Sequence, residues 1–196
     1  ETADSFRPSA AAILNLTPDH LLRHGDMEGY RNAKARVFMN QHSEDLTVLN
    51  SDDPESLPLL GLTRGMEALF SREREVRTGA DCLGGMICTA RDGSRSALMK
   101  ASALSLPGRH NLENALAVAC LAGRAGIAPE ALADGLSTFC GVPHRIETVR
   151  ILDGVTWVND SKSTNQDSLK VALESFEKPV ILIAGGLSKK TSYGDL

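Results

Sequence analysis

The sequence predicts an α/β protein: a mostly parallel central sheet with flanking helices and a small antiparallel hairpin region. Three observations carry that reading. Apolar runs at residues 10–16, 46–49 and 180–184 have the make-up of strands buried on both faces. Helical patterns lie between and after them, around residues 27–38, 111–124 and 129–139. Between residues 66 and 106, short alternating segments flank Arg91-Asp92-Gly93-Ser94, a hairpin signal.

In chain order, the first run is broken by Thr17-Pro18-Asp19-His20. Asp26 is placed to cap a helix whose apolar positions are Met27, Tyr30, Val37 and Phe38. The run at 46–49 closes in the polar turn Asn50-Ser51-Asp52-Asp53-Pro54. Segment 111–124, rich in Ala and Leu, is a strong helix with Gly126 placed to end it, and a second helix opens at Pro129. Gly141-Val142-Pro143 reads as a linker, dividing the chain into a domain over residues 1–141 and the start of another over 142–196. Beyond the linker the pattern is βαβ, the opening of a Rossmann-like C-terminal domain. Its first strand is 155–158, its helix presents Leu169, Leu173 and Phe176 on one face, and its second strand is 180–184. A right-handed crossover would bring Gly185-Gly186 beside the polar turn at 159–165.

Composition excludes several classes. The chain has 196 residues, 42% hydrophobic and 23% charged, which is the balance of a soluble globular protein. A formal net charge of −4 and the lack of a dense basic run argue against a nucleic-acid partner. No apolar stretch reaches the length of a membrane span, so no membrane partner is expected either. The four cysteines form no Cys-x-x-Cys pair and have no His at zinc spacing, which reads as reduced thiols of a cytoplasmic protein. No Gly-x-Gly-x-x-Gly follows a strand, and residues 184–191 miss both glycines of a Gly-x-x-x-x-Gly-Lys-[Ser/Thr] phosphate loop.

The richest chemistry lies in Asn159-Asp160-Ser161-Lys162-Ser163-Thr164-Asn165, between a strand and a helix. An acid, a cation, hydroxyls and amides at a strand-to-helix turn suit a phosphorylated or zwitterionic ligand, since ligands of open α/β sheets bind beyond the strands' carboxyl ends. The same residues also suit an ordinary solvated loop. His20, just past a buried strand, could hold a metal, bond a substrate, or be structural. Lys34 lies four residues after Tyr30 and four before Phe38, so it shares their helix stripe. Such a lysine extends its ammonium to water or, if buried, presents a reactive neutral amine. The stripe is expected to hold the amine at least partly out of water. Asn111 and Asn114, at i and i+3, could cap a helix or read the edge of a base. Arg145 follows the linker, where it could clamp a phosphate or be merely exposed.

Order and spacing resemble one family. The stretch from Ile13 through His20 to Lys34-Ala35-Arg36-Val37-Phe38 is similar to the central domain of the Mur ligases, the ATP-dependent enzymes that add amino acids to the peptidoglycan precursor. Leu49-Asn50-Ser51-Asp52-Asp53-Pro54, Gly108-Arg109-His110-Asn111-Leu112-Glu113-Asn114 and Gly141-Val142-Pro143-His144-Arg145 resemble further motifs of that family. Trp157 to Asn165 and Gly186-Leu187-Ser188-Lys189 look like the branch that adds D-glutamate. The resemblance is thinnest through residues 64–105.

The resemblance implies ATP and Mg2+ as cofactors, with UDP-N-acetylmuramoyl-L-alanine and D-glutamate as small-molecule partners of a monomeric, cytoplasmic enzyme. It implies that Lys34 becomes a carbamate which, with His20, holds magnesium. Asn111 and Asn114 match adenine contacts; Arg145 and Lys162 would face phosphates; Asp160 would bond the ribose. Thr164 and Lys189 would hold D-glutamate. The family's Gly-Lys-[Ser/Thr] phosphate loop, uridine-binding domain and second acidic metal ligand are not in this sequence. The sequence therefore reads as a piece of a longer protein, inactive by itself. A folate polyglutamate ligase and a non-catalytic nucleotide-binding module are the competing readings.

Overall fold

The computed structural model describes residues 4–18, 21–164, 166–176 and 178–186. The chain divides into two compact units, Glu1–Thr138 and Phe139–Leu196.

The first unit is built on a six-stranded sheet in sequence order: β1 (Ala10–Ile13), β2 (Leu46–Asn50), β3 (Met66–Ser71), β4 (Gly79–Leu83), β5 (Met86–Arg91) and β6 (Ser94–Lys100). β1 to β4 run parallel, and β5 and β6 fold back antiparallel. The mostly parallel sheet and its hairpin extension are as the sequence predicts. All five residues of β2 are buried, as a strand covered on both faces requires. Its side chains alternate between two clusters. Leu46 and Val48 join Phe70, Ala80 and Ile87 beneath Leu116, Ala117 and Cys120 of a long helix over Arg109–Arg124. Leu49 joins Ile13, Leu16, Tyr30 and Phe38 on the opposite face. Burial of each such large side chain contributes roughly 1.5–3 kcal/mol.

Among the described residues the α-helices are α1 (Leu21–His24), α2 (Met27–Ala35), α3 (Arg109–Arg124), α4 (Pro129–Thr138) and α5 (Gln166–Glu174). Asp26 caps α2 as expected, its Oδ1 accepting the Gly29 N–H at 2.8 Å. α2 stops at Ala35, short of the predicted stripe. Residues 36–40 continue as tight turns closed by bonds such as Val37 N–H to Lys34 O (3.1 Å) and Phe38 N–H to Ala35 O (3.1 Å). α3 ends as predicted: the Gly126 N–H reaches Gly123 O at 3.3 Å and the Ile127 N–H reaches Ala122 O at 3.0 Å, the two-bond closure of a left-handed C-terminus.

The second unit corrects the βαβ expectation. β8 (Val155–Asn159) pairs antiparallel with a strand the sequence reading overlooked, β7 (Glu147–Leu152). They are joined by Asp153-Gly154, with φ of 50° and 77°, the two positive values of a type I′ hairpin turn. Asp92-Gly93 makes the same turn between β5 and β6, with φ of 52° and 87°. Residues 180–184, expected as the parallel partner of 155–158, carry no ladder, and Ile181 and Ile183 are 92% and 82% exposed. An apolar run signals a preference for burial, but a strand also needs a ladder partner, and among the described residues β8 pairs with β7 alone. The crossover that would bring Gly185-Gly186 to the Asn159 turn is therefore not formed among the described residues.

Candidate functional site

In the first unit, the turn after β2 stitches the carboxyl ends of three parallel strands together. Asn50 Nδ2 donates to Leu14 O at 3.0 Å, beyond β1. Asp53 Oδ2 accepts the Leu16 N–H at 2.8 Å and the Ser56 hydroxyl at 2.7 Å. Asp52 accepts the Ser71 hydroxyl at 2.6 Å and the Arg72 N–H at 2.7 Å, at the end of β3. The motif at 49–54 is thus a clamp. It fixes the rim where open α/β sheets bind their ligands. Glu55, next in the chain, holds α2 through Arg31 at 2.9 Å.

Lys34 lies on the last turn of α2 and is exposed. Its Nζ stands 5.2 Å from the centre of the Tyr30 ring, within cation–π range. The expectation of an amine partly out of water is corrected. Residues four apart share a face only while a helix continues, and α2 ends one residue after Lys34. Phe38 turns into the core at 1% exposure, and Lys34 stays at the surface above Tyr30. His20 lies outside the described residues.

The start of α3 holds Asn111 and Asn114, one turn apart and both half-buried. Asn111 is not the cap. The helix begins at Arg109, and Gly108 occupies the cap position with φ 104°; a Cβ there would meet the His110 ring at 3.1 Å. Asn111 Nδ2 donates to Pro107 O at 2.7 Å. Beside this turn is an apolar pocket of about 310 Å3, lined by Ala101, Leu104, Leu106, Pro107, Arg109 and Leu112. Apolar walls of this kind suit a planar heterocycle. Two residues that sequence reasoning missed join this helix to the clamp: Arg72 Nε bonds Glu113 Oε1 at 2.6 Å. A pairing between residues 41 apart leaves no local signal.

In the second unit, the structure brings three predicted residues together. Asp160 Oδ1 accepts the Ile146 N–H at 3.0 Å, and the Lys162 N–H donates to His144 O at 3.1 Å. These bonds flank Arg145 on both sides, so the loop bearing it is laced to the turn bearing Asp160 and Lys162. Asn159 Nδ2 donates to His144 Nδ1 at 2.9 Å, and its Oδ1 accepts the Ser161 N–H at 3.1 Å. The Ser163 hydroxyl bonds Asp160 Oδ2. The side chains of Arg145, Lys162 and Thr164 are exposed, leaving two cations and a hydroxyl on one polar edge, where an anionic ligand would find charge-assisted partners. Asn165 and Lys189 lie outside the described residues.

Among the described residues no group of three or more His, Cys, Asp or Glu side chains could hold a metal ion. Those residues do not by themselves fit a magnesium site. No described helix is long and apolar enough to cross a membrane. None of the four cysteines is in a disulfide.

Comparison with known proteins accords with this geometry. The family model described as Mur ligase middle domain matches residues 1–122. A UDP-N-acetylmuramoylalanine–D-glutamate ligase of Pelotomaculum thermopropionicum is 47% identical over 98% of this chain and 42% of its own length. The protein of that name from Clostridioides difficile is 45% identical over 100% of this chain and 43% of its own. This chain thus spans less than half of these relatives. Among solved structures, MurF from Acinetobacter baumannii shares the fold with a TM-score of 0.68 at 20% identity, covering 86% of this chain and 37% of that one. UDP-N-acetylmuramate-alanine ligase MurC from Thermotoga maritima does so with a TM-score of 0.61 at 24% identity, over 87% of this chain and 38% of that one. With well over half of its length matched by the family model, the chain belongs to the Mur ligase middle-domain family.

Proposed function

We propose that this chain is part of an ATP-dependent amide-bond-forming ligase that adds D-glutamate to UDP-N-acetylmuramoyl-L-alanine in peptidoglycan precursor synthesis. The observation that carries this reading is the lacing of Arg145, Asp160 and Lys162 onto one edge of the second unit. It provides paired cations and a fixed carboxylate at the turn whose sequence resembles the D-glutamate-adding branch. Identity along nearly the whole chain to ligases of that name supports it.

In this reading, residues 1–141 contribute to the central ATP-binding domain and residues 142–196 begin the amino-acid-binding domain. The γ-phosphoryl group of ATP passes to the carboxylate of the L-alanyl substrate, giving an acyl phosphate and ADP. The amine of D-glutamate attacks the acyl carbon, and the tetrahedral intermediate collapses to an amide and phosphate. Little covalent chemistry falls to the protein, so its residues position groups and stabilise charge. Asn111 and Asn114 hold adenine beside the apolar pocket at the start of α3. Arg145 and Lys162 face phosphates. Asp160 spends one lone pair on each oxygen within its own loop and keeps a second for the ribose. Thr164 and Lys189 hold the carboxylates of D-glutamate. Lys34 is the residue that becomes a carbamate, with His20 as its companion. Magnesium, when bound, would neutralise charge on the phosphates of ATP. The enzyme acts on these small molecules as a cytoplasmic monomer.

The test is phosphate release by the full-length protein with each substrate omitted in turn. Release should require UDP-N-acetylmuramoyl-L-alanine, D-glutamate and ATP together. A requirement for a folate-type acceptor instead, or ATP binding without turnover, would replace the reading. Lys189→Ala should then raise the D-glutamate KM about ten- to a hundredfold, the worth of one charge-assisted hydrogen bond, and leave the ATP KM unchanged.

A further inference from the structure

We propose that Arg72 is a positioning residue for the nucleotide, acting through Glu113 on the start of α3; this rests on the reading of Asn111 and Asn114 as adenine contacts. The chain of bonds is continuous. Asn50 Oδ1 accepts the Asp52 N–H at 2.9 Å. Asp52 Oδ2 accepts the Arg72 N–H at 2.7 Å. The Arg72 guanidinium meets the Glu113 carboxylate at 2.6 Å, with the two side chains 16% and 21% exposed. Glu113 stands between Asn111 and Asn114 in the chain.

The need for such a brace follows from how α3 is built. Its fully buried residues, Ala115, Leu116, Ala117, Ala119 and Cys120, all lie C-terminal to the two asparagines, and between the asparagines only the partly buried Leu112 packs against the core. Its start has a glycine at the cap position and no side-chain cap, so its first N–H groups lack the usual restraint on fraying. The Arg72–Glu113 pair ties this loosely capped segment to the end of β3. Because that strand end is held by the Asp52 clamp, the rotation of α3 and the aim of its two amides are referred to the rim of the sheet. A largely desolvated pair holds its geometry better than a surface pair, whose side chains move freely. The pair touches no part of the reacting groups, so its influence should fall on nucleotide binding rather than on the acyl-transfer step.

The experiment is a double-mutant cycle in the full-length protein with Arg72→Ala, Glu113→Ala and the double variant, reading steady-state kinetics, calorimetric ATP binding and thermal melting. Each single variant should raise the ATP KM and Kd about tenfold, while kcat and the D-glutamate KM stay within about twofold of the parent. The double variant should be no worse than either single one, as for residues acting as one unit. Two outcomes overturn the proposal: an unchanged ATP Kd in both single variants, or equal loss for every substrate together with a lowered Tm, the mark of a merely structural pair. Calorimetry needs no turnover, so the inference is separable from the proposed reaction. If the parent binds ATP, the singles bind it weakly and no D-glutamate-dependent release is seen, the brace stands and the reaction falls.

Discussion

The ammonium of Lys34 stands 5.2 Å from the centre of the Tyr30 ring, one turn back on the same helix. Tyr30 is itself buried in the cluster beneath α2, so the ring is a fixed platform. Lys34 is exposed, so its amine is open to dissolved carbon dioxide. Carbamate formation from this ammonium releases two protons, one as the free amine forms and one as its nitrogen adds carbon dioxide, so a cation is replaced by an anion with two oxygens.

That chemistry separates lysine from arginine. Lys34→Arg keeps a cation over the Tyr30 ring and cannot form the carbamate. In the full-length protein it should abolish D-glutamate-dependent phosphate release with Tm unchanged. Retained turnover would remove the carbamate from the proposed site.

Asp160 supplies one of the bonds that lace the polar edge of the second unit. Replacing it by Ala removes the acceptor for the Ile146 N–H and for the Ser163 hydroxyl. A hydrogen bond to a charged group contributes about 1.5–3 kcal/mol, so amide exchange at Ile146 should quicken about ten- to a hundredfold. Exchange in the α3 core, in the other unit, should not change. Unaltered protection at Ile146 would show that the loop bearing Arg145 is held by other contacts.

The parallel sheet was legible because β1 is apolar at every position and β2 carries Leu46, Val48 and Leu49 on both of its faces, the pattern of strands covered on both sides. The β5–β6 hairpin was legible from Asp92-Gly93. Asp153-Gly154 carries the same turn signal, but the strand after it leads into a polar strand-to-helix turn that suits a parallel crossover equally well. The polar residues of 159–164 were found as a group, but their lacing to 144–146 depends on backbone bonds that composition does not reveal. Lys34 was placed on a buried stripe because periodicity cannot tell where a helix stops: α2 ends at Ala35 in successive tight turns, with no glycine or proline to mark it. Arg72 and Glu113 were invisible for a different reason, since an ion pair between distant segments follows from the fold alone.

The thiols differ sharply in environment. Burial pushes the Cys120 thiol up to about 12 and also raises that of Cys82. Cys82, Cys88 and Cys120 are buried and Cys140 is exposed. The thiolate is the reactive form, so a maleimide at neutral pH should label Cys140 first and the other three only on unfolding. Mass spectrometry of a short labelling pulse would show this, and early modification of Cys120 would contradict the packing of α3 on the sheet.

Acid sensitivity should come in part from Asp45. Its carboxylate takes two bonds from the Arg7 guanidinium, at 2.7 and 3.1 Å, and a third from the His42 N–H at 2.7 Å. Arg7 and the His42 N–H hold this carboxyl below its ordinary range. A carboxyl with a folded pKa below its unfolded one stabilises the fold above the unfolded value, and that stabilisation is lost as protons are taken up through the folded value. The loss should therefore appear as the pH falls below about 5 and grow through the acid carboxylate range. Asp45→Asn keeps the shape of the side chain and removes the titration. The variant should be less stable than the parent at pH 7, and the gap should narrow steadily toward pH 3, as read from urea midpoints at each pH. A gap that stays constant across that range would mean that Asp45 contributes through shape and neutral hydrogen bonding, not through its charge on Arg7.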